Sequence, residues 1–458
     1  MLNAGSRVLL AFVAGLSALS SVQAFLLTRV TTQQDALPVG SFAPMLEKVL
    51  PAVVTIRVTG ETMTPVEVKP RQAGATADPL PVPVKETFRS GGSGVIVDAK
   101  NGYILTNNHV IENATSIDVG LADGRRLLAK LVGRDIGTDL AVIRVDARPL
   151  PSIAIGDSDA VRVGDVVVAV GNPFGLEGTA TLGIVSAMMR TEIGHEAFED
   201  YLQIDAQTNP GNSGGGLVNV KGELIGINTV IAGGRGQSYS VGFAIPVNMA
   251  KIIQTELITH GRMKRGSPGL IVQDLPFEPT MPGPAHGAIV TQVLPNSSAA
   301  AAEVKTGDVV VRVANKPVRS AAEYMTRVST VPEGTALPLV VYADGKEKTV
   351  LVTVWSAEMK PVEKSLQLSM GSIAGAVVGD ILLGNPLFGD LRGAQILELP
   401  AGAPAYEAGF EVGDVIVGVD GAKVRTSDGL LQQIAQVGLQ YRVDIIRNGA
   451  PAWLRVSR

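Results

Sequence analysis

Asn209-Pro210-Gly211-Asn212-Ser213-Gly214-Gly215-Gly216-Leu217 carries the densest chemical signal in this chain. A serine hydroxyl alone is a poor nucleophile. It needs a base, a group that orients the base, and donors for a developing oxyanion. Glycines on both sides of Ser213 let backbone N–H groups turn toward a reacting carbonyl with no Cβ in the way. Taken alone, the stretch also suits a glycine-rich turn between strands. Residues upstream separate the two readings.

The chain has four histidines. His109 lies in Leu105-Thr106-Asn107-Asn108-His109-Val110-Ile111, directly after an apolar strand pattern. His195 falls in a polar loop, His260 at the end of a helical pattern, and His286 close to Pro284. Asp139 stands in Gly137-Thr138-Asp139-Leu140-Ala141-Val142-Ile143, at the mouth of another apolar strand. Each residue alone suits a structural role. Together, His109, Asp139 and Ser213 follow the order His, Asp, Ser, each on a turn beside a strand. In such a triad the imidazole takes the serine proton, and the carboxylate fixes the tautomer and stabilises the imidazolium. The N–H groups of Gly211 and Ser213 would serve the oxyanion.

Gly211-Asn212-Ser213-Gly214-Gly215 also satisfies the G-x-S-x-G elbow of lipases and esterases. That fold orders its triad Ser, Asp, His and places a helix directly after the serine. Here Leu217 to Val220 and Leu224 to Thr229 read as strand, turn, strand, and neither His260 nor His286 has a strand-end setting. The elbow is disfavoured.

The chain is 458 residues long, 46% hydrophobic and 18% charged, which fits several folded globular domains. A formal net charge of -4 gives no electrostatic footprint for nucleic acid. Without cysteine there is no thiol nucleophile, disulfide or thiolate metal site. The scattered histidines suggest no metal site, and hydrolysis by a serine triad needs no cofactor. Arg7 precedes an apolar run from Val8, and Val22-Gln23-Ala24 offers small residues for cleavage. Residues 1–40 therefore read as a secretory signal peptide or, if residues 8–27 stay uncleaved, an inner-membrane anchor. Either way the body of the chain is expected outside the cytoplasm.

A short helix from Ala43 to Leu50 precedes a strand over Ala52 to Val58. Residues 60–89, with five prolines and few aromatics, read as a long mobile loop. Ten strands follow: Ser93–Val97, Tyr103–Thr106, Ser116–Leu121, Leu127–Val132, Leu140–Val145, Val166–Val170, Thr179–Ser186, Leu217–Val220, Leu224–Thr229 and Gly242–Pro246. A helix from Val247 to His260 closes this part. Beyond it, Gly287-Ala288-Ile289-Val290 recurs as Gly393-Ala394-Gln395-Ile396. At the same offset Thr306-Gly307-Asp308-Val309-Val310 recurs as Val412-Gly413-Asp414-Val415-Ile416. This predicts two similar domains with helices over Ala321–Val328 and Ser427–Val437, joined by a polar linker at 356–364.

These segments resemble the HtrA (Deg) serine endoproteases over nearly the whole of Ser41 to Arg458. The resemblance implies a mainly β protein: a chymotrypsin-like double six-stranded β-barrel over 41–262, then two α+β PDZ domains over 266–356 and 365–458. It assigns His109 as general base, Asp139 as its partner and Ser213 as nucleophile, with Gly211, Asn212 and Ser213 forming the oxyanion hole. Ile227-Asn228-Thr229 resembles the wall of a specificity pocket for small aliphatic side chains, and Ile231 to Ser240 the adjoining activation loop. PDZ domains take an extended peptide as an added strand and catch its carboxylate on a glycine-containing loop. Gly269, Leu270 and Ile271 match that loop in the first copy; Ala374-Gly375-Ala376-Val377 matches it less well in the second. Ligand capture is therefore expected of the first copy. Gly216 departs from the family's proline or alanine.

The resemblance implies an ATP-independent endoprotease for unfolded or misfolded proteins, governed by C-terminal peptides at the PDZ domains and assembled as a homotrimer or larger homo-oligomer. The alternative is a periplasmic chaperone or adaptor with minor proteolysis. The acidic pairs Glu192/Glu196 and Glu199/Asp200 are expected to form a solvated loop.

Overall fold

The structure is a computed structural model. It describes residues 40–71, 84–173, 178–191, 193, 197–208, 211–231, 241–276, 283–356, 365–381, 387, 389 and 391–458. The expected signal or anchor segment and the body of the expected activation loop (232–240) lie outside the described residues, as do Asn209, Pro210, Glu192, His195 and Glu196. In the N-terminal unit, which ends at Met45, Ser41 Oγ accepts the Ala43 N–H at 3.1 Å where the helix Ala43–Val49 begins.

Two six-stranded barrels follow. In the first, Val53–Met63 pairs with Lys85–Asp98 and with Ala114–Gly120. Tyr103–Thr106 and Leu140–Arg144 extend the sheet from Lys85–Asp98. Arg126–Leu128 and Lys130–Asp135 are one strand bent at Ala129, whose N–H donates to Ile117 O at 2.9 Å; this strand closes the ring. Barrel closure removes open sheet edges. Leu140, Ala141, Val142 and Ile143 are all buried because one face meets the barrel interior and the other the helix Val247–His260.

The second barrel closes through Gly216–Asn219, which pairs with both Val166–Gly171 and Glu223–Ile231. Thr179–Arg190, Tyr201–Ile204 and Gly242–Pro246 complete the ring. All ten expected strands are present. Tyr201–Ile204 is an addition that the acidic stretch before it had masked.

Two expectations need correction. Residues 60–89 are not loop throughout. The Val53–Met63 strand stays paired until Met63 opposes Lys85, and Val66–Val68 joins strand Ala450–Ser457 far along the chain. Prolines suggested a loop, but the alternating residues on either side of them complete a hairpin. Nor is the Glu199/Asp200 pair of the acidic segment a solvated loop; Glu192 and Glu196 lie outside the described residues. Glu199 is 3% exposed and accepts the Ile193 N–H at 2.7 Å, and burial pushes the Asp200 carboxyl above its ordinary range. Ala197 and Phe198 of this stretch share a cavity with Tyr324 and Val328 of the helix Ala321–Ser329, and Arg319, just before that helix, donates to Met189 O at 3.2 Å.

The repeat forms two small sheets, each with its own apolar core. Strands Ala336–Ala343 and Gln440–Arg447 alternate buried and open positions in the same pattern. The repeated Gly-Asp turn has a physical cause. Gly307 and Gly413 have φ of 93° and 96°. The aspartate beyond each accepts the N–H three residues earlier, Lys305 to Asp308 and Glu411 to Asp414, both at 2.9 Å. The helices Ala321–Ser329 and Ser427–Gln436 are capped in the same manner, by Ser320 and Thr426 side chains accepting N–H groups of Glu323 and Gly429.

Candidate active site

His109 and Asp139 belong to the first barrel and Ser213 to the second. His109 sits in the short helix Asn108–Ile111, which leaves the strand Tyr103–Thr106. Asp139 ends the 3-10 turn Ile136–Thr138 in a left-handed conformation, φ 58°, that aspartate tolerates better than most residues. Its carbonyl accepts from Asn107 Nδ2 at 2.9 Å and from the Asn108 N–H at 3.1 Å. Its Oδ1 accepts the His109 N–H at 2.9 Å, and Oδ2 lies 2.7 Å from His109 Nδ1. Backbone and side chain of one aspartate thus fix the turn that carries the imidazole.

Asp139 is 2% exposed, whereas the His109 side chain is 46% exposed. With an Asp139 oxygen as the acceptor, Nδ1 carries the proton, and Nε2 is the ring nitrogen that can act as base. Thr229 Oγ1 also donates to Asp139 Oδ2, at 2.7 Å.

Around Ser213 the chain turns sharply, with Gly211 at φ 99° and Gly214 at φ 82°. The turn is held from the first barrel by Ser93. The Ser93 N–H donates to Ser213 O at 2.8 Å, and Ser93 Oγ donates to Gly211 O at 2.6 Å while accepting the Asn172 N–H at 2.7 Å. The Asn212 carbonyl accepts the Gly215 N–H at 2.9 Å. In a trans peptide the following N–H points the opposite way, so the Ser213 N–H faces away from Gly215. A Cβ on Gly214 would collide with the Ser93 carbonyl and the Thr106 hydroxyl and lie 3.2 Å from Asn107 N. The Ser213 turn therefore packs directly against the turn that leads to His109.

Ile227, Asn228 and Thr229 are buried. Asn228 Nδ2 donates to Gly216 O at 2.9 Å and Val170 O at 3.2 Å, bracing the strand that follows Ser213. The Asn212 amide is 1% exposed and has no hydrogen-bond partner among the described residues. Ser93 and Asn172 were not legible as site residues. They lie 118 and 79 positions from their partners in this network, and neither stands in a motif.

In the first repeat, Gly269 has φ 93°, and its N–H donates to Ser267 Oγ at 2.9 Å. Leu270 and Ile271, with Tyr324, Met325 and Val328 of the neighbouring helix, form one side of a cavity of about 210 Å³; Phe198 of the second barrel and Asp380, Leu391 and Arg425 of the second repeat form the rest. No cluster of three or more metal-binding side chains occurs among the described residues, and no described helix is long and apolar enough to cross a membrane.

Comparison with known proteins agrees with this architecture. A trypsin-like peptidase domain matches residues 92–227, and a PDZ domain matches residues 259–354 and again 368–457. The periplasmic pH-dependent serine endoprotease DegQ of Escherichia coli K12 is 40% identical over 424 residues, covering 92% of each chain. The periplasmic serine endoprotease DegP of the same strain is 40% identical over 447 residues, again covering 92% of each. The solved structure of the HtrA-type protease AlgW with a decapeptide superposes with a TM-score of 0.52 at 36% identity, covering 70% of this chain and 99% of that one. These relatives favour proteolysis over the chaperone or adaptor alternative. An aspartate-held imidazole on a turn packed against that of a glycine-bounded serine, ahead of two PDZ domains and with this identity across the chain, leads to one conclusion: the chain belongs to the DegP/DegQ family of HtrA-type serine endoproteases.

Proposed function

We propose that Ser213 is the nucleophile, His109 the general base and Asp139 the residue that orients it. The observation that carries this reading is the pair of contacts from one buried carboxylate to the His109 ring and backbone N–H. Ser213 Oγ attacks the scissile carbonyl as its proton passes to His109 Nε2. The N–H groups of Gly211 and Ser213, on either side of Asn212, receive the oxyanion. The imidazolium then protonates the leaving amine. Water, activated by the same imidazole, hydrolyses the acyl-enzyme and regenerates Ser213. Each oxyanion donor is worth about 10²–10³ in rate.

The substrates are unfolded or misfolded proteins in the periplasm, reached after export directed by residues 8–27, and cleavage needs no ATP. Ile227, Asn228 and Thr229 form the wall of the specificity pocket, and residues 231–240 the activation loop. The first PDZ domain captures apolar C-terminal peptides through Gly269, Leu270 and Ile271, and the protein works as a homotrimer or larger homo-oligomer. The cavity against Tyr324 and Val328 supports the capture reading. Casein cleavage by the unmodified protein and by Ser213→Ala, with and without an apolar C-terminal peptide, tests chemistry and control together. Cleavage lost in Ser213→Ala and stimulated by peptide in the parent is expected. Equal cleavage by both proteins would overturn the nucleophile assignment.

A further inference from the structure

The two PDZ domains differ at the edge where a peptide would add. In the first, strand Leu270–Asp274 is the outermost strand of its sheet, and among the described residues it pairs with Ala288–Val293 alone, with no strand added on its other edge toward the helix Ala321–Ser329. In the second, the equivalent strand Val377–Asp380 pairs with Ala394–Glu398 on one side and with Ser365–Gln367 on the other. The chain just beyond the inter-domain linker therefore occupies the peptide edge.

Its geometry is that of a PDZ ligand. A captured C-terminus runs antiparallel to this edge and ends at the glycine loop, whose N–H groups take the carboxylate. Residues 365–367 run antiparallel, with Leu366 opposite Val378 and Gln367 opposite Val377. Leu368 then reaches the loop. Its N–H donates to Ala376 O, and its carbonyl accepts the Gly375 N–H, both at 2.8 Å. Gly375 matches Gly269 of the first copy, as Gly393 matches Gly287. The Leu368 carbonyl thus takes a loop N–H that a terminal carboxylate would otherwise use.

The side chains alternate as a ligand's would. Leu368 is 2% exposed, in the apolar cluster that contains Val378, Leu430 and Ile434. Leu366 packs on the same cluster, and Gln367 between them is exposed. Leu430 and Ile434 belong to the helix Ser427–Gln436, the other wall of the groove.

We infer that residues 365–368 are an internal ligand of the second PDZ domain, holding its groove against free C-terminal peptides. The inference rests on the peptide-capture reading of the PDZ fold. A segment tethered by a short connection acts at an effective concentration on the order of millimolar. A free peptide at micromolar concentration does not displace it. The two copies consequently divide their work: the first takes peptides from solution, and the second is engaged by its own chain.

The test counts sites in the full-length chain, made Ser213→Ala so that no probe is cleaved. The probe is the synthetic peptide Lys-Ser-Leu-Gln-Leu with a free carboxylate, the chain's own residues 364–368, titrated calorimetrically. The chain that also carries Leu366→Ser and Leu368→Ser is expected to bind one more peptide than its parent. An equal number of sites in both overturns the inference. The increment is independent of the starting value: a parent that binds none contradicts capture by the first domain, while one site gained in the variant still supports the internal ligand. Should the double substitution unfold the second domain, seen in the fluorescence of Trp453, hydrogen exchange on the unsubstituted chain decides. Slow exchange at the Leu368 and Gly375 amides is expected, and exchange at the rate of an open loop overturns it.

Discussion

Thr229 Oγ1 donates to Asp139 Oδ2 at 2.7 Å, and the same oxygen lies 2.7 Å from His109 Nδ1. The strand beyond the Ser213 turn thereby touches the carboxylate that orients the candidate base, linking the second barrel to the aspartate of the first. A hydrogen bond to a charged group contributes about 1.5–3 kcal/mol. Thr229→Val keeps the shape and removes the donor, so kcat should fall roughly 10–100-fold with little change in KM. Thr229→Ser should restore most of the rate. Steady-state kinetics on a chromogenic peptide reads both. A loss that serine does not rescue would indicate packing and not the hydroxyl.

Asp139→Asn separates orientation from folding. Asparagine also tolerates the left-handed conformation at φ 58°, so the turn should survive. Its side-chain NH₂, placed toward His109, would favour the wrong tautomer and remove the stabilisation of the imidazolium. In a triad of this kind the expected loss in kcat is about 10⁴, with thermal stability close to that of the parent. Kinetics and a melting curve on the same sample check the two halves of the prediction.

The local parts of this site were legible because each lies within a few residues of a strand end. Gly211 and Gly214 announced a turn, and His109 and Asp139 each sat at the boundary of an apolar run. Ser93 and Asn172 were not legible, since their contribution exists only once two barrels face each other. The same limit hid the Val66–Val68 strand, whose partner Ala452–Leu454 stands at the far end of the chain. Arg71 follows that strand, stacks over Tyr406 at 4.0 Å and donates to the Tyr406 and Phe410 carbonyls. No periodicity within 66–71 could disclose those partners. Leu366 and Leu368 were hidden differently: their alternation spans too few residues to read as a strand without the edge they occupy.

Arg447 and Asp414 form a bidentate pair, with both nitrogen–oxygen distances at 2.6 Å and side-chain exposures of 5% and 0%. Asp414 is the aspartate of the second Gly-Asp turn, so the pair ties that turn to the strand Gln440–Arg447. Arg447→Met leaves a carboxylate buried without its cation, a change that costs about 3–5 kcal/mol. The second PDZ domain should therefore unfold at markedly lower urea concentration. Adding Asp414→Asn removes the stranded charge and should recover part of the loss. Urea titrations followed by Trp453 fluorescence compare the three proteins.

Burial raises the Asp200 carboxyl above its ordinary range, with Arg327 acting in the opposite direction and only partly offsetting it. The sign of the pH effect follows from linkage. A carboxyl whose folded pKa is raised contributes stability that is fully present below its unfolded pKa and is lost as pH rises through the folded pKa. At neutral pH the parent therefore bears the cost of a desolvated titrating carboxyl, whereas Asp200→Asn holds a neutral group of nearly the same shape. The variant should melt at higher temperature than the parent at pH 7, and the gap should narrow on acidification toward pH 4. Paired melting curves across that range test it. A gap that stays constant, or widens as pH falls, would show that Asp200 is solvated or fully compensated by Arg327.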